Sequence, residues 1–204
     1  MKSFEKKIFF EDSTFYVLKD VYEPAEDTFL LAEKLLVNEN DVVLDMGTGC
    51  GILGILAAKK ARKVVAVDIN PHAVRCAKMN AKLNGVMEKM DIRLGNLFEA
   101  VKKKERFSLI LFNAPYLPTE AGEQGTWIGR AWAGGPTGRQ VIDEFISQAS
   151  SHLKRDGRIL LVQSTLSNVN ETLRRLKKEG LRAKVIAERK VAFETIVVIQ
   201  AERM

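Results

Sequence analysis

Val42-Val-Leu-Asp-Met-Gly-Thr-Gly-Cys-Gly-Ile-Leu-Gly54 is the stretch on which the fold turns. Val42-Val43-Leu44 is a short apolar run, Asp45–Gly51 is a glycine-rich turn, and Ile52–Lys60 has the composition of a helix. A strand, a tight turn and a helix in immediate succession make the first half of a βα unit, with glycines where backbone can approach a ligand closely. Outward from this unit the alternation continues. Apolar runs at Val64–Val67, Ile92–Leu94, Leu109–Phe112 and Ile159–Val162 read as strands, and the segment opened by Pro71 reads as a helix ending near Asn84-Gly85. Short apolar runs separated by helices are the signature of buried parallel strands in an open α/β sheet with helices on both faces. The last two runs, Leu181–Ala187 and Thr195–Ile199, have only Glu188–Glu194 between them. That leaves no room for a crossover helix and predicts an antiparallel hairpin.

Two segments break the pattern. In Met1–Val37, Lys7–Leu18 has room for a small hairpin and Pro24–Leu36 reads as an amphipathic helix carrying Thr28, Leu31 and Leu35. Ala114–Thr137 holds Pro, Gly and Trp without periodicity, and a loop of that length in a compact domain is usually functional. His72 and His152 fall in helical segments and are expected at the surface, while Trp132 suits either the core or a substrate loop.

Two ligand patterns compete in the glycine turn. Gly49-Cys-Gly-Ile-Leu-Gly54 fits the dinucleotide spacing, but its first glycine comes late for the tight turn. The other pattern is an acid followed by alternate glycines, Asp45, Gly47, Gly49 and Gly51. An acid directed into the cleft suits a cationic ligand with a free amino group and not a pyrophosphate, which favours S-adenosylmethionine over a nicotinamide dinucleotide. Asp68, ending the next run, is placed to accept hydrogen bonds from ribose hydroxyls. Asn96 is placed to bond an adenine edge with Leu97 packed on the ring, although a lone Asn there also suits a helix N-cap.

Asn113-Ala114-Pro115-Tyr116 follows the fourth run directly, across the switch point from the glycine turn. Methylating an amide or exocyclic amino nitrogen requires its delocalised lone pair to be turned towards the methyl donor. The Asn113 side-chain oxygen and the Ala114 carbonyl can hold the two hydrogens, and Tyr116 can stack on the planar group. This is catalysis by positioning and electrostatics. The tetrad fits a side-chain amide and the exocyclic amino group of a base alike, so an RNA or DNA amino methyltransferase is the alternative at this point.

The chain has 204 residues and a net charge of +6, with 46% apolar and 28% charged residues, which excludes disordered and fibrous classes. It reads as a single domain over 1–204, with residues 1–37 as an appendage helping to close the cofactor site. The basic charge favours acidic partners only weakly against a simple Lys-rich surface. Cys50 and Cys76 have no zinc spacing, and no metal is expected. With no apolar run long enough for a signal peptide or a membrane span, the protein is expected to be cytoplasmic and away from membranes.

Asn113–Tyr116 resembles the Asp/Asn-Pro-Pro-Tyr tetrad of amino methyltransferases, with Ala114 standing where most members have proline. Asp20–Leu31 and Ala131–Arg139 closely resemble stretches of the eukaryotic and archaeal HemK-type class I release-factor glutamine methyltransferases. The resemblance implies a Rossmann-like seven-stranded methyltransferase sheet ending in a C-terminal antiparallel hairpin. It also implies S-adenosyl-L-methionine as cofactor and N5-methylation of the glutamine in a release factor's Gly-Gly-Gln loop. Thr28, Asp45, Gly47, Gly49, Asp68, Asn96, Leu97 and Asn113 are then expected to line the cofactor site, and Asn113, Ala114, Pro115 and Tyr116 to form the catalytic tetrad. Such enzymes commonly work with a small zinc-binding activator that covers apolar surface near the third strand of the alternation. Bacterial relatives carry a helical N-terminal substrate domain, which the stretch before Val37 is too short to hold.

Overall fold

The computed structural model describes residues 4–120 and 125–203. The chain opens with strands β1 (Phe4–Phe10) and β2 (Ser13–Leu18), paired antiparallel as a separate two-stranded sheet, then helix α1 (Glu26–Glu33). Helix α1 is shorter than the apolar spacing predicts: the N–H groups of Lys34 and Leu35 close three-residue turns onto Leu31 and Ala32, and the chain leaves the helix before Leu36. The alternation follows: β3 (Val42–Met46), α2 (Ile52–Lys60), β4 (Lys63–Asp68), α3 (Pro71–Leu83), β5 (Met90–Leu94) and β6 (Phe107–Asn113). After α4 (Trp127–Trp132) and α5 (Gln140–Ala149) come β7 (Leu153–Ser164), α6 (Val169–Lys178), β8 (Leu181–Lys190) and β9 (Thr195–Arg203).

These strands form one seven-stranded sheet in the order β5-β4-β3-β6-β7-β9-β8. Strands β3 to β7 pair in parallel, while β9 inserts antiparallel between β7 and β8. The reversed hairpin and the helix-covered parallel strands are those the sequence predicts. Burial explains why the strands read as unbroken apolar runs: Val43, Leu44, Val64, Ala66, Leu109, Ile110 and Leu111 are all fully buried between the two helical layers. Helix α3 starts with Pro71 in its first turn and with the Asn70 side chain accepting from the His72 N–H. Among the described residues no helix is long and apolar enough to cross a membrane.

Strand β7 begins earlier than its apolar run, because Leu153 pairs with Phe107 before an irregularity carries residues 154–157 past the ladder. His72 is exposed as expected, but His152 is half-buried: its ring stacks on Phe98 at 4.9 Å and its Nδ1 lies 3.1 Å from the Glu105 carbonyl. The residues after the tetrad also contain a helix that the sequence did not reveal. Helix α4 is capped by Thr126, whose Oγ1 accepts from the Gly129 N–H at 2.9 Å. Gly125 and Gly129 interrupt the apolar spacing that would have marked it.

The β1–β2 hairpin is fastened to α3 by two asparagines. Asn84 accepts from the Thr14 N–H and donates to its carbonyl, and Asn80 does the same at Tyr16. Residues i and i+4 on a helix are about 6 Å apart, close to the roughly 6.6 Å between i and i+2 on a strand, so the two amides act as a substitute strand along the hairpin's edge. Asn80 also donates to the Cys50 carbonyl at 2.8 Å, which ties the hairpin to the glycine turn. Asn80→Ala therefore removes a hydrogen bond from three backbone groups, the Tyr16 N–H and the Tyr16 and Cys50 carbonyls. We expect it to cost about 2 kcal/mol or more and to lower Tm by about 4–8 °C in thermal unfolding.

Candidate active site

Strands β3 and β6 lie side by side with Asp45 opposite Leu111 and Met46 opposite Phe112, so the glycine turn and the tetrad leave the sheet together. Gly47 has φ +64°, and a Cβ there would come within 3.3 Å of the Phe112 ring and 4.0 Å of the Asn113 carbonyl oxygen. Only glycine suits both the left-handed backbone and that approach. The two segments border a cavity of about 840 Å³. Thr28, Gly47, Gly49, Asp68, Asn96, Leu97 and the whole tetrad Asn113–Tyr116 line it.

On one side of the cavity, Asp68 accepts from the N–H groups of Gly49 and Asn70, both at 2.8 Å. Burial pushes its carboxyl upward, against the pull of those backbone hydrogen bonds. Asn96 precedes the single-turn helix Leu97–Ala100 but makes no capping hydrogen bond, so its side chain is not committed to the helix start. Leu97 holds a left-handed φ of 43° while buried, a strained geometry of the kind found at ligand sites.

Asp45 departs from expectation. It does not line the cavity but lies fully buried beneath the turn, its Oδ2 accepting from Thr48 Oγ1 at 2.5 Å and from the Gly54 N–H at 2.9 Å. The first turn of α2 thus draws the carboxyl inward, and its Oδ1 has no hydrogen-bond partner. Burial pushes the Asp45 carboxyl up to about 7.

On the other side, Asn113 Nδ2 donates to Thr28 Oγ1 at 3.1 Å, and Asn113 Oδ1 is shielded and has no partner. Buried Asp27 accepts from Thr28 and, through Oδ2, from the hydroxyls of Tyr22 at 3.0 Å and Tyr116 at 3.3 Å. Burial, reinforced by Asp27, raises both tyrosine hydroxyls well above their ordinary range, so they stay protonated as donors. Asp27 sits in the first turn of α1, yet its carboxyl faces the tetrad.

The backbone after the tetrad is held by Ala131–Arg139. Leu117 donates to Trp132 and accepts from Gly134, and Thr119 donates to Gly135. Gly138 packs so closely that a Cβ there would stand 2.2 Å from the Tyr116 carbonyl oxygen. Arg139 anchors the segment by donating to the Ser167 and Asn168 carbonyls and to Thr172 at the start of α6. Trp132 is half-buried on the cavity wall with Trp127 nearby, and Val191, Ala192 and Glu194 between β8 and β9 reach the same cavity. Sequence reasoning missed that last contribution because the hairpin lies far along the chain and has no motif of its own.

Comparison with known proteins gives this geometry a family. The profile of ribosomal protein L11 methyltransferases (PrmA) matches residues 28–114. A Methanocaldococcus jannaschii protein named as a protein N5-glutamine methyltransferase is 44% identical over 91% of this chain and 93% of its own. The chain belongs to the HemK-type protein glutamine methyltransferases. Human methyltransferase HEMK2 is 33% identical, with 89% of each chain covered. The solved E. cuniculi Mtq2–Trm112 complex, described as responsible for methylating the eRF1 termination factor, superposes with a TM-score of 0.72 at 26% identity, covering 91% of this chain and 99% of that one.

Two outcomes follow for this methyltransferase. A carboxyl whose pKa rises on folding contributes stability below its unfolded value, and that contribution is lost as pH rises through the folded value. Between pH 3.8 and about 7, Asp45 should therefore lower stability by up to roughly 1.4 kcal/mol per pH unit. Isosteric Asp45→Asn should gain stability relative to wild type as pH rises across that window, which paired denaturant titrations at several pH values would measure. Gly138→Ala should drive the Tyr116 backbone from its place and cut turnover by about tenfold or more, as a steady-state assay beside a circular dichroism spectrum would show.

Proposed function

We propose that this methyltransferase transfers a methyl group from S-adenosyl-L-methionine to the side-chain nitrogen of a glutamine in the Gly-Gly-Gln loop of a class I peptide chain release factor. The observation that carries the reading is Asn113 Oδ1, a shielded acceptor without a partner, on a residue that abuts the glycine turn and precedes the Ala114 carbonyl. A buried polar atom left open beside a cavity is expected to find its partner in a ligand. The relatives' names, protein N5-glutamine methyltransferase and eRF1 methyltransferase, support glutamine over a nucleobase.

The residues fit the cofactor. Gly47 and Gly49 bring bare backbone to the cavity, Asp68 stands where ribose hydroxyls would donate, and Asn96 with Leu97 would take the adenine ring. Thr28 adds a hydroxyl from α1, and residues 1–37 would help close that side. When bound, S-adenosylmethionine supplies an electrophilic methyl on its sulfonium. The tetrad supplies position: Asn113 Oδ1 and the Ala114 carbonyl accept the two hydrogens of the substrate amide, Pro115 biases Ala114 towards extended backbone, and Tyr116 packs against the amide plane. No strong base is needed, because the nitrogen becomes acidic once alkylated and its proton passes to water.

A small zinc-binding activating subunit is the partner that fits the outer edge. Strand β5 ends the sheet, and Leu94, Leu83 and Ile69 are 57%, 49% and 42% exposed around it. The Mtq2–Trm112 pair provides the parallel.

Incubating the enzyme with a release factor and methyl-labelled cofactor should place label on the Gly-Gly-Gln glutamine and none on a Gln→Ala substrate. Equal label on the two would defeat the proposal. Asn113→Ala should leave cofactor affinity, read by calorimetry, within about threefold, and reduce turnover by about 100-fold or more, the loss expected for one transition-state acceptor.

A further inference from the structure

We infer that Asp27 is a positioning residue that fixes, through the Thr28 hydroxyl, which end of the Asn113 amide is left for the substrate. The inference rests on the glutamine reading and adds a residue to its machinery. An Asn amide presents an acceptor at one end and donors at the other, and the two ends have nearly the same shape. For Asn113 the choice decides function: an oxygen left open can accept the substrate's N–H, whereas an NH2 left open would repel it.

The proton bookkeeping around Asp27 settles the choice. Its Oδ1 accepts from the Thr28 backbone N–H at 2.5 Å and from the Thr28 hydroxyl at 3.1 Å. Its Oδ2 accepts from Tyr22 at 3.0 Å and Tyr116 at 3.3 Å. Four donors converge on one carboxylate that is itself only 4% exposed. A carboxylate only accepts, so the single proton of the Thr28 hydroxyl is committed to Asp27. Thr28 Oγ1 is then an acceptor towards anything else, and what faces it is Asn113 Nδ2 at 3.1 Å. With the amide turned over, two oxygens would meet without a proton between them. The order of donation, Asn113 to Thr28 to Asp27, leaves Oδ1 as the open end. The same carboxylate steadies Tyr116, so one group on α1 aligns both the acceptor and the ring of the tetrad.

Two pairs of substitutions test this. Thr28→Val removes the hydroxyl, and Thr28→Ser keeps it. Asp27→Leu removes the acceptor, and Asp27→Asn can still turn an oxygen towards Thr28. In 15N-labelled protein, the Asn113 side-chain NH2 signals, identified by their absence in Asn113→Ala, should be protected from water exchange in wild type, Thr28→Ser and Asp27→Asn. They should lose that protection at least about tenfold in Thr28→Val and, where it folds, Asp27→Leu. This readout needs no methyl acceptor, so its failure is distinct from failure of the glutamine reading. With a Gly-Gly-Gln substrate at saturating cofactor, Thr28→Val should lower kcat about 10–100-fold, while Thr28→Ser stays within about threefold. A residue that only touched the cofactor would raise its KM and spare kcat. Unchanged protection in Thr28→Val, or a kcat within threefold of wild type at saturation, overturns the inference.

Discussion

Everything at the carboxyl edge depends on how closely two parallel strands can end beside one another. β3 and β6 pair residue for residue up to Met46 and Phe112, where β3 ends and β6 runs one residue further, to Asn113. A side chain at the next position of β3 would fill the space between them, and Gly47 leaves it open. The glycine turn and the tetrad can therefore border the same cavity. Proximity of donor and acceptor thus comes from main-chain geometry, and side chains need only set orientation.

That edge gathers acids, and each is handled differently. Asp68 is held by backbone N–H groups at the turn, Asp27 by hydroxyls and the N–H of Thr28, and Asp45 by one hydroxyl and the N–H of Gly54. Burying a carboxylate is costly unless donors converge on it. Asp68 and Asp45 each draw two donors and burial pushes both carboxyls up, that of Asp45, with one oxygen unpartnered, to about 7.

The sheet was legible because parallel strands buried on both faces leave continuous apolar runs, and the lack of residues for a crossover between Lys190 and Thr195 fixed the final hairpin. The cavity's glycines, Asp68 and the tetrad were legible because they directly follow strand ends. The sequence did not show where Asp45 would turn, since a strand-end acid can face the ligand or the following helix. Nor did it show that Asp27, one residue before Thr28, would reach Tyr116 across 89 positions of sequence. Helix α4 was hidden because its cap and glycines imitate a loop. Apart from α4, what escaped were contacts between elements, which leave no periodic trace.

The asparagine fastening of the N-terminal hairpin makes thermodynamic linkage between distant parts of the chain. Asn80 holds the Tyr16 backbone and the Cys50 carbonyl with one amide, so the hairpin and the ligand turn share a hydrogen-bond hub. One side chain thus spans both segments, and displacing its amide would unfasten the first strands and the glycine turn at once.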